Sequence, residues 1–142
     1  MRRRRVAAPP PAPGLDPRVL TEQLDDIAVM AGRALAQRNA ERQLDDIRQA
    51  ELKVFSQFGD DGIVDYLVER VGLPRNSERF VEIGVEDYRE ANTRFLLVNR
   101  DWSGLIVDAG DAHLRRLQDS SLLWRHDLHP VTASVEPLTL LR

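Results

Sequence analysis

Phe80-Val81-Glu82-Ile83-Gly84, answered further along by Gly104-Leu105-Ile106-Val107-Asp108, is the stretch that decides the fold of this chain. Each run has the apolar, β-branched content of a short strand bounded by turn residues. Between them, Asp87 to Val98 contains a helix whose Phe95, Leu96 and Val98 are expected to face the sheet. Asp101-Trp102-Ser103-Gly104 then turns the chain back. Strand, tight turn, helix and strand in that order make a parallel pair joined by a right-handed crossover. A glycine after the first strand lets a ligand approach the backbone, and a carboxylate ending the second can accept hydrogen bonds from ribose hydroxyls. The unit therefore suits a nucleotide-like ligand.

Working outward, Ser56-Gln57-Phe58-Gly59-Asp60-Asp61-Gly62 predicts a turn into a helix, with Asp60 and Asp61 complementing its N-terminal dipole. Its apolar stripe is Ile63, Tyr66, Leu67 and Val71, and Gly72 with Pro74 ends it. After Asp108, a helix over about Asp111 to Leu117 presents Leu114 and Leu117 to the core, and a third strand is predicted near Val131 to Val135. The fold class is α/β, a Rossmann-like parallel sheet.

Residues 18–51 are rich in Ala, Leu, Gln, Glu, Asp and Arg, which predicts a long helix preceding the sheet. Leu20, Leu24, Ile27, Ala31 and Ala34 alternate spacings of four and three, the seam of a coiled coil and a route to a homo-oligomer. Arg38 and Glu41 break the stripe, which resumes in a new phase at Leu44 and Ile47. Gln-Leu-Asp-Asp-Ile occurs at both Gln23–Ile27 and Gln43–Ile47, too few copies for a repeat architecture. Residues 1–17, with four consecutive arginines and five prolines, bury almost nothing and read as a disordered tail. Residues 52–142 form the α/β domain.

Of 142 residues, 42% are hydrophobic and 30% charged, which places the chain among ordinary globular domains. The net charge of −3 includes Arg2 to Arg5, so the rest carries −7. An acidic body argues against a nucleic-acid partner. No apolar run approaches a membrane span, and the basic N-terminus meets prolines where an export signal needs apolar residues. The chain has no cysteine, hence neither disulfides nor thiolate metal sites. A cytoplasmic location is the expectation.

Several linked motifs together resemble the FkbM-like branch of class I S-adenosylmethionine-dependent methyltransferases. They are Ser56 to Gly62, then Phe80-Val81-Glu82-Ile83-Gly84-Val85-Glu86-Asp87-Tyr88, then Glu90-Ala91-Asn92-Thr93-Arg94-Phe95-Leu96-Leu97, then Trp102 to Asp108, with Trp124-Arg125-His126-Asp127-Leu128 extending the match. The resemblance covers about residues 52–136. It implies a seven-stranded fold whose first half holds S-adenosylmethionine, with Glu82 and Gly84 in the first cofactor motif and Asp108 binding the ribose. Carboxylates of Glu82, Glu86 and Asp87 suit the positive sulfonium and amino groups, and Asn92 can reach the ligand from the helix start. The implied reaction is methylation of an oxygen on a sugar or small metabolite, which depends mainly on alignment of the reacting atoms.

The chain departs from that pattern in three places. Gly84 is followed by Val85, Glu86, Asp87 and Tyr88 rather than by a glycine-rich loop. Glu136-Pro137-Leu138-Thr139 stands where relatives carry Glu-Asn-Ile-Asn. The fourth strand and the acceptor-binding half do not follow, so the first strand is expected to have one unpaired side. The alternative reading is accordingly a non-catalytic, truncated methyltransferase-like interaction protein. A dinucleotide-dependent oxidoreductase fits less well, because Gly-x-Gly-x-x-Gly is missing after the first strand.

His113, His126 and His129 have no compact metal-ligand spacing, and no metal is expected. The polarity of His126, Asp127 and His129 is explained by a turn as readily as by acid–base work, and Trp102 and Trp124 are expected to be packing anchors.

Overall fold

The computed structural model describes residues 16–74, 76–118 and 120–135. Most of the expected tail and the Glu136–Thr139 segment lie outside the described residues. The elements run α1 (Pro17–Ala40), a short 3-10 turn (Ile47–Ala50), α2 (Asp60–Val71), β1 (Arg79–Ile83), α3 (Arg94–Arg100), β2 (Ser103–Asp108), α4 (Asp111–Gln118), α5 (Leu122–Arg125) and β3 (Leu128–Thr132). The three strands form a parallel sheet in the order β1-β2-β3, with Val81 opposite Leu105 and Ile106 opposite Pro130. The α/β expectation holds, and among the described residues β1 is an edge strand. Among the described residues no helix is long and apolar enough to cross a membrane.

The core lies in two layers. Between the sheet and its helices, Val85, Tyr88, Ala91, Leu97, Ile106, Leu114, Leu117 and Leu128 pack together, with Phe80 against them. Behind α3, Val29, Ala36, Leu52, Phe55 and Phe95 form a second cluster that holds α1 to the body, with Val98 packed on it. Phe95 and Val98 therefore face α1 and not the sheet as expected; Leu97 is the α3 side chain that meets Ile106. Gly32 permits this closeness: a Cβ there would lie 2.5 Å from the Val54 side chain and 3.0 Å from the Phe95 ring.

The predicted helix over 18–51 is corrected, for α1 stops at Ala40. Its end is fixed from outside the helix. The buried Asn39 amide donates to the Ala50 carbonyl at 3.3 Å, and the Arg70 guanidinium on α2 donates to the carbonyls of Ala40 and Arg42. The second Gln-Leu-Asp-Asp-Ile is consequently not helical until Ile47, where Asp46 caps the 3-10 turn through the Arg48 N–H at 2.9 Å.

The expected stripe of α2 is corrected as well. Leu67 and Val71 are exposed, whereas Asp61 and Asp65 are buried. The Asp61 Oδ2 accepts the N–H groups of Val54, Phe55 and Ser56 at 2.7–2.8 Å and the Ser56 hydroxyl at 2.9 Å. Asp65 pairs with Arg100 of α3 at 2.6 Å. The Ser56–Gly62 motif is thus a loop folded around a buried carboxylate, satisfying donors that would otherwise be left bare. The third strand begins at Leu128, earlier than the expected Val131, because buried Leu128 anchors it and Pro130 is tolerated on an edge strand. Trp102 is buried as expected, but Trp124 is 78% exposed, beneath Arg125, and anchors nothing.

Candidate functional site

The carboxyl ends of β1 and β2 lie side by side, because Ile83 pairs with Val107. From there the chain enters a loop held largely in the left-handed region: Gly84 (φ 75°), Glu86 (φ 49°) and Tyr88 (φ 59°). Glu86 and Tyr88 carry side chains in a conformation that costs energy, so the loop persists only through contacts that over-determine it. A Cβ on Gly84 would meet no heavy atom within 4 Å, leaving open space over this turn.

Two carboxylates provide those contacts. Asp108, buried at the end of β2, accepts the Glu86 N–H at 2.8 Å on Oδ2 and the Gly110 N–H at 2.7 Å on Oδ1. His113 Nδ1 lies 3.4 Å from Oδ1. The N–H groups of Gly110 and Glu86 hold the Asp108 carboxyl below its ordinary value, so it stays ionised. Glu82 is spent differently. Its Oε1 accepts the Asn92 N–H at 2.9 Å, and its Oε2 accepts the Thr93 N–H at 3.1 Å and the Thr93 hydroxyl at 2.5 Å. A carboxylate accepts only, so the Thr93 proton goes to Glu82, and the Tyr88 hydroxyl donates to Thr93 Oγ1 at 2.9 Å. Burial pushes the Tyr88 phenol well above its ordinary value, which keeps it a neutral donor.

The structure thus brings Gly84, Glu86 and Asp108 together. Asn92 joins them only through its backbone on Glu82, its residue being exposed. Asp87 accepts the Arg89 N–H at 3.3 Å on the outer side of the loop. Thr93 and Gly110 were not singled out from the sequence, and His113 was weighed there only as a metal ligand, although a glycine between the acidic end of β2 and the start of α4 signals a carboxylate turned back on its own backbone.

A cavity of about 680 Å³ lies elsewhere, between the N-terminal half of α1 and the α4–α5 corner. Tyr88, Asp25, Arg94, Arg116 and Arg125 line it, and Asp87 is the one expected site residue it touches. Arg94 is buried there over the Phe55 ring, 3.9 Å from its centroid, with Asp25 at 2.7 Å. Desolvation lowers its affinity for the proton. The remaining histidines stay apart: His129 contacts Asp127 at 2.9 Å on the surface, and His126 lies 3.8 Å from Asp101.

No protein-family model, curated protein or solved structure matches the chain.

Proposed function

We propose that this chain is the cofactor-holding part of an S-adenosylmethionine-dependent methyltransferase-like domain, with the ligand lying across the carboxyl ends of β1 and β2. The observation that carries the reading is the Asp108 carboxylate, which ends β2 and at the same time fixes the β1–α3 loop through the Glu86 N–H. In a parallel α/β sheet this edge is where ligands meet the strands. A carboxylate has about four acceptor sites, and two strong hydrogen bonds leave Asp108 able to accept from a ribose diol. The open space over Gly84 suits close approach to the backbone. Glu86 adds negative potential for the cationic amino acid end.

Bound there, the cofactor supplies an electrophilic methyl group. The residues of this chain hold and orient it. Within this reading Glu82 is a positioning residue, because its carboxylate caps α3 and keeps Asn92 and Thr93 in place. The acceptor, an oxygen of a sugar or small metabolite, belongs to a surface beyond these strands.

Calorimetric titration with S-adenosylhomocysteine is expected to give one site, and Asp108→Asn, which removes the charged acceptor offered to the ribose hydroxyls, is expected to weaken it at least about tenfold, a change of about 1.4 kcal/mol. Absence of heat at millimolar ligand, with the fold intact by circular dichroism, sinks the cofactor claim. That outcome favours the second reading, a non-catalytic interaction module, which is supported by the free edge of β1 and by two acids already engaged with their own backbone.

A further inference from the structure

The cavity between α1 and the α4–α5 corner joins apolar walls to an unbalanced set of cations. Val29, Phe55, Val98, Leu117 and Leu122 supply the apolar lining, and the volume of about 680 Å³ falls within the range of small-molecule sites, roughly 300–1,000 Å³. Arg94 brings charge to the apolar side, being 8% exposed and resting on the Phe55 ring. Among the described residues its guanidinium donates to the Arg89 carbonyl and to Asp25, and its Nε–H has no acceptor. A guanidinium carries five N–H donors, so this buried one is under-satisfied.

Six arginines and five acids line the cavity, and their charges offset one another everywhere but at the corner. Asp25 answers Arg94 at 2.7 Å. On α1, Glu22 and Asp26 offset Arg18 and Arg33, and on the β1–α3 loop Asp87 offsets Arg89. Arg116 near the end of α4 and Arg125 at the end of α5 are left with Asp101, whose side chain is 88% exposed. Among the described residues neither of these two arginines is paired with a carboxylate. Ser121 lines the same corner with a hydroxyl that does not cap its own helix.

We propose that the cavity binds a small organic anion, its carboxylate or phosphate held by Arg116 and Arg125 and its apolar body filling the space lined by Val29, Phe55 and Leu122. Charge-assisted hydrogen bonds from the two guanidinium groups fix the anionic end. A neutral molecule gains nothing from them, and a bare anion leaves the apolar walls unfilled. Gly84, Glu86 and Asp108 do not line the cavity, so the inference is independent of the cofactor reading.

Phenyl phosphate, phenylacetate, inorganic phosphate and benzyl alcohol, each titrated calorimetrically into the whole chain at millimolar concentration, test it. One of the two aromatic anions is expected to saturate a single site, and which one binds tighter tells phosphate from carboxylate. Inorganic phosphate and benzyl alcohol are each expected to bind at least about tenfold more weakly. Arg116→Gln with Arg125→Gln, both at exposed positions, is expected to weaken the better anion at least about tenfold, with the melting temperature of the unliganded chain kept. In methyl NMR spectra that anion is expected to shift Val29 and Leu122, and not Val81 and Ile83 of β1, which do not line the cavity. Absence of binding by both aromatic anions, equal binding of benzyl alcohol or inorganic phosphate, or undiminished binding by the double variant overturns the proposal.

Discussion

At the residue scale, Asp108 joins two strand ends with one carboxylate, and its behaviour with pH follows from that. Its pKa is lowered in the folded chain by the Gly110 and Glu86 N–H groups. A depressed carboxyl stabilises the fold above its unfolded value of about 3.9, and the contribution is lost as pH falls through the lower folded value. Asp108→Ala leaves both N–H groups without this acceptor and is expected to cost about 1–3 kcal/mol at neutral pH. Urea denaturation at pH 7, 5 and 3 checks the sign: the gap between variant and parent closes only below about pH 4. A gap that stays constant to pH 3 removes the carboxylate from the explanation. Asp108 was legible in the sequence as the acid ending a strand. Its partners were not, because the Glu86 N–H reaches it across 22 residues through a backbone turn that no side-chain pattern announces. Glu82 was legible in the same way, yet its engagement with Thr93 depends on how α3 enters, which strand periodicity does not encode.

At the scale of elements, α1 shows how far a periodic pattern carries. The 4-3-4-3 spacing located a helix, but the break at Arg38 and Glu41 reads only as a change of phase within a helix over 18–51, whereas α1 ends at Ala40. What sequence could not show is which stripe meets the body. The buried stripe is made of Val29, Gly32, Ala36 and Asn39, small or polar residues with little hydrophobic signal, chosen for closeness to Val54 and Phe95. Likewise α2 turns Asp61 and Asp65 inward, because loop N–H groups and Arg100 reward a buried acid there more than an apolar side chain. Gly32→Ala tests the packing of α1 directly. Helix propensity favours the alanine by about 1 kcal/mol, while a Cβ at 2.5 Å from the stiff, branched Val54 side chain forces a shift that costs about 1–3 kcal/mol. A net loss of about 1 kcal/mol is expected in chemical denaturation, and a gain in stability overturns the close-approach account.

At the scale of the whole molecule, the described residues cover the sheet on one side only. Phe80, Ile106 and Leu128 point into the helix-backed core, whereas Val81, Ile83, Leu105 and Val131 lie on the other face at 62%, 58%, 37% and 42% exposure. The parallel arrangement read from the sequence usually goes with two covered faces, and the sequence placed an unpaired side on β1; it did not reveal that, among the described residues, the second face lies exposed. An apolar face beside an unpaired strand edge promotes open-ended association. Val81→Lys with Ile83→Lys places charges on that edge strand. Both positions are exposed, so the stability cost is expected to stay within about 0.5 kcal/mol each. In a thermal ramp followed by static light scattering, the double variant is expected to begin scattering several degrees later than the parent, with its sedimenting mass in the cold unchanged. An unchanged onset of scattering places the association elsewhere.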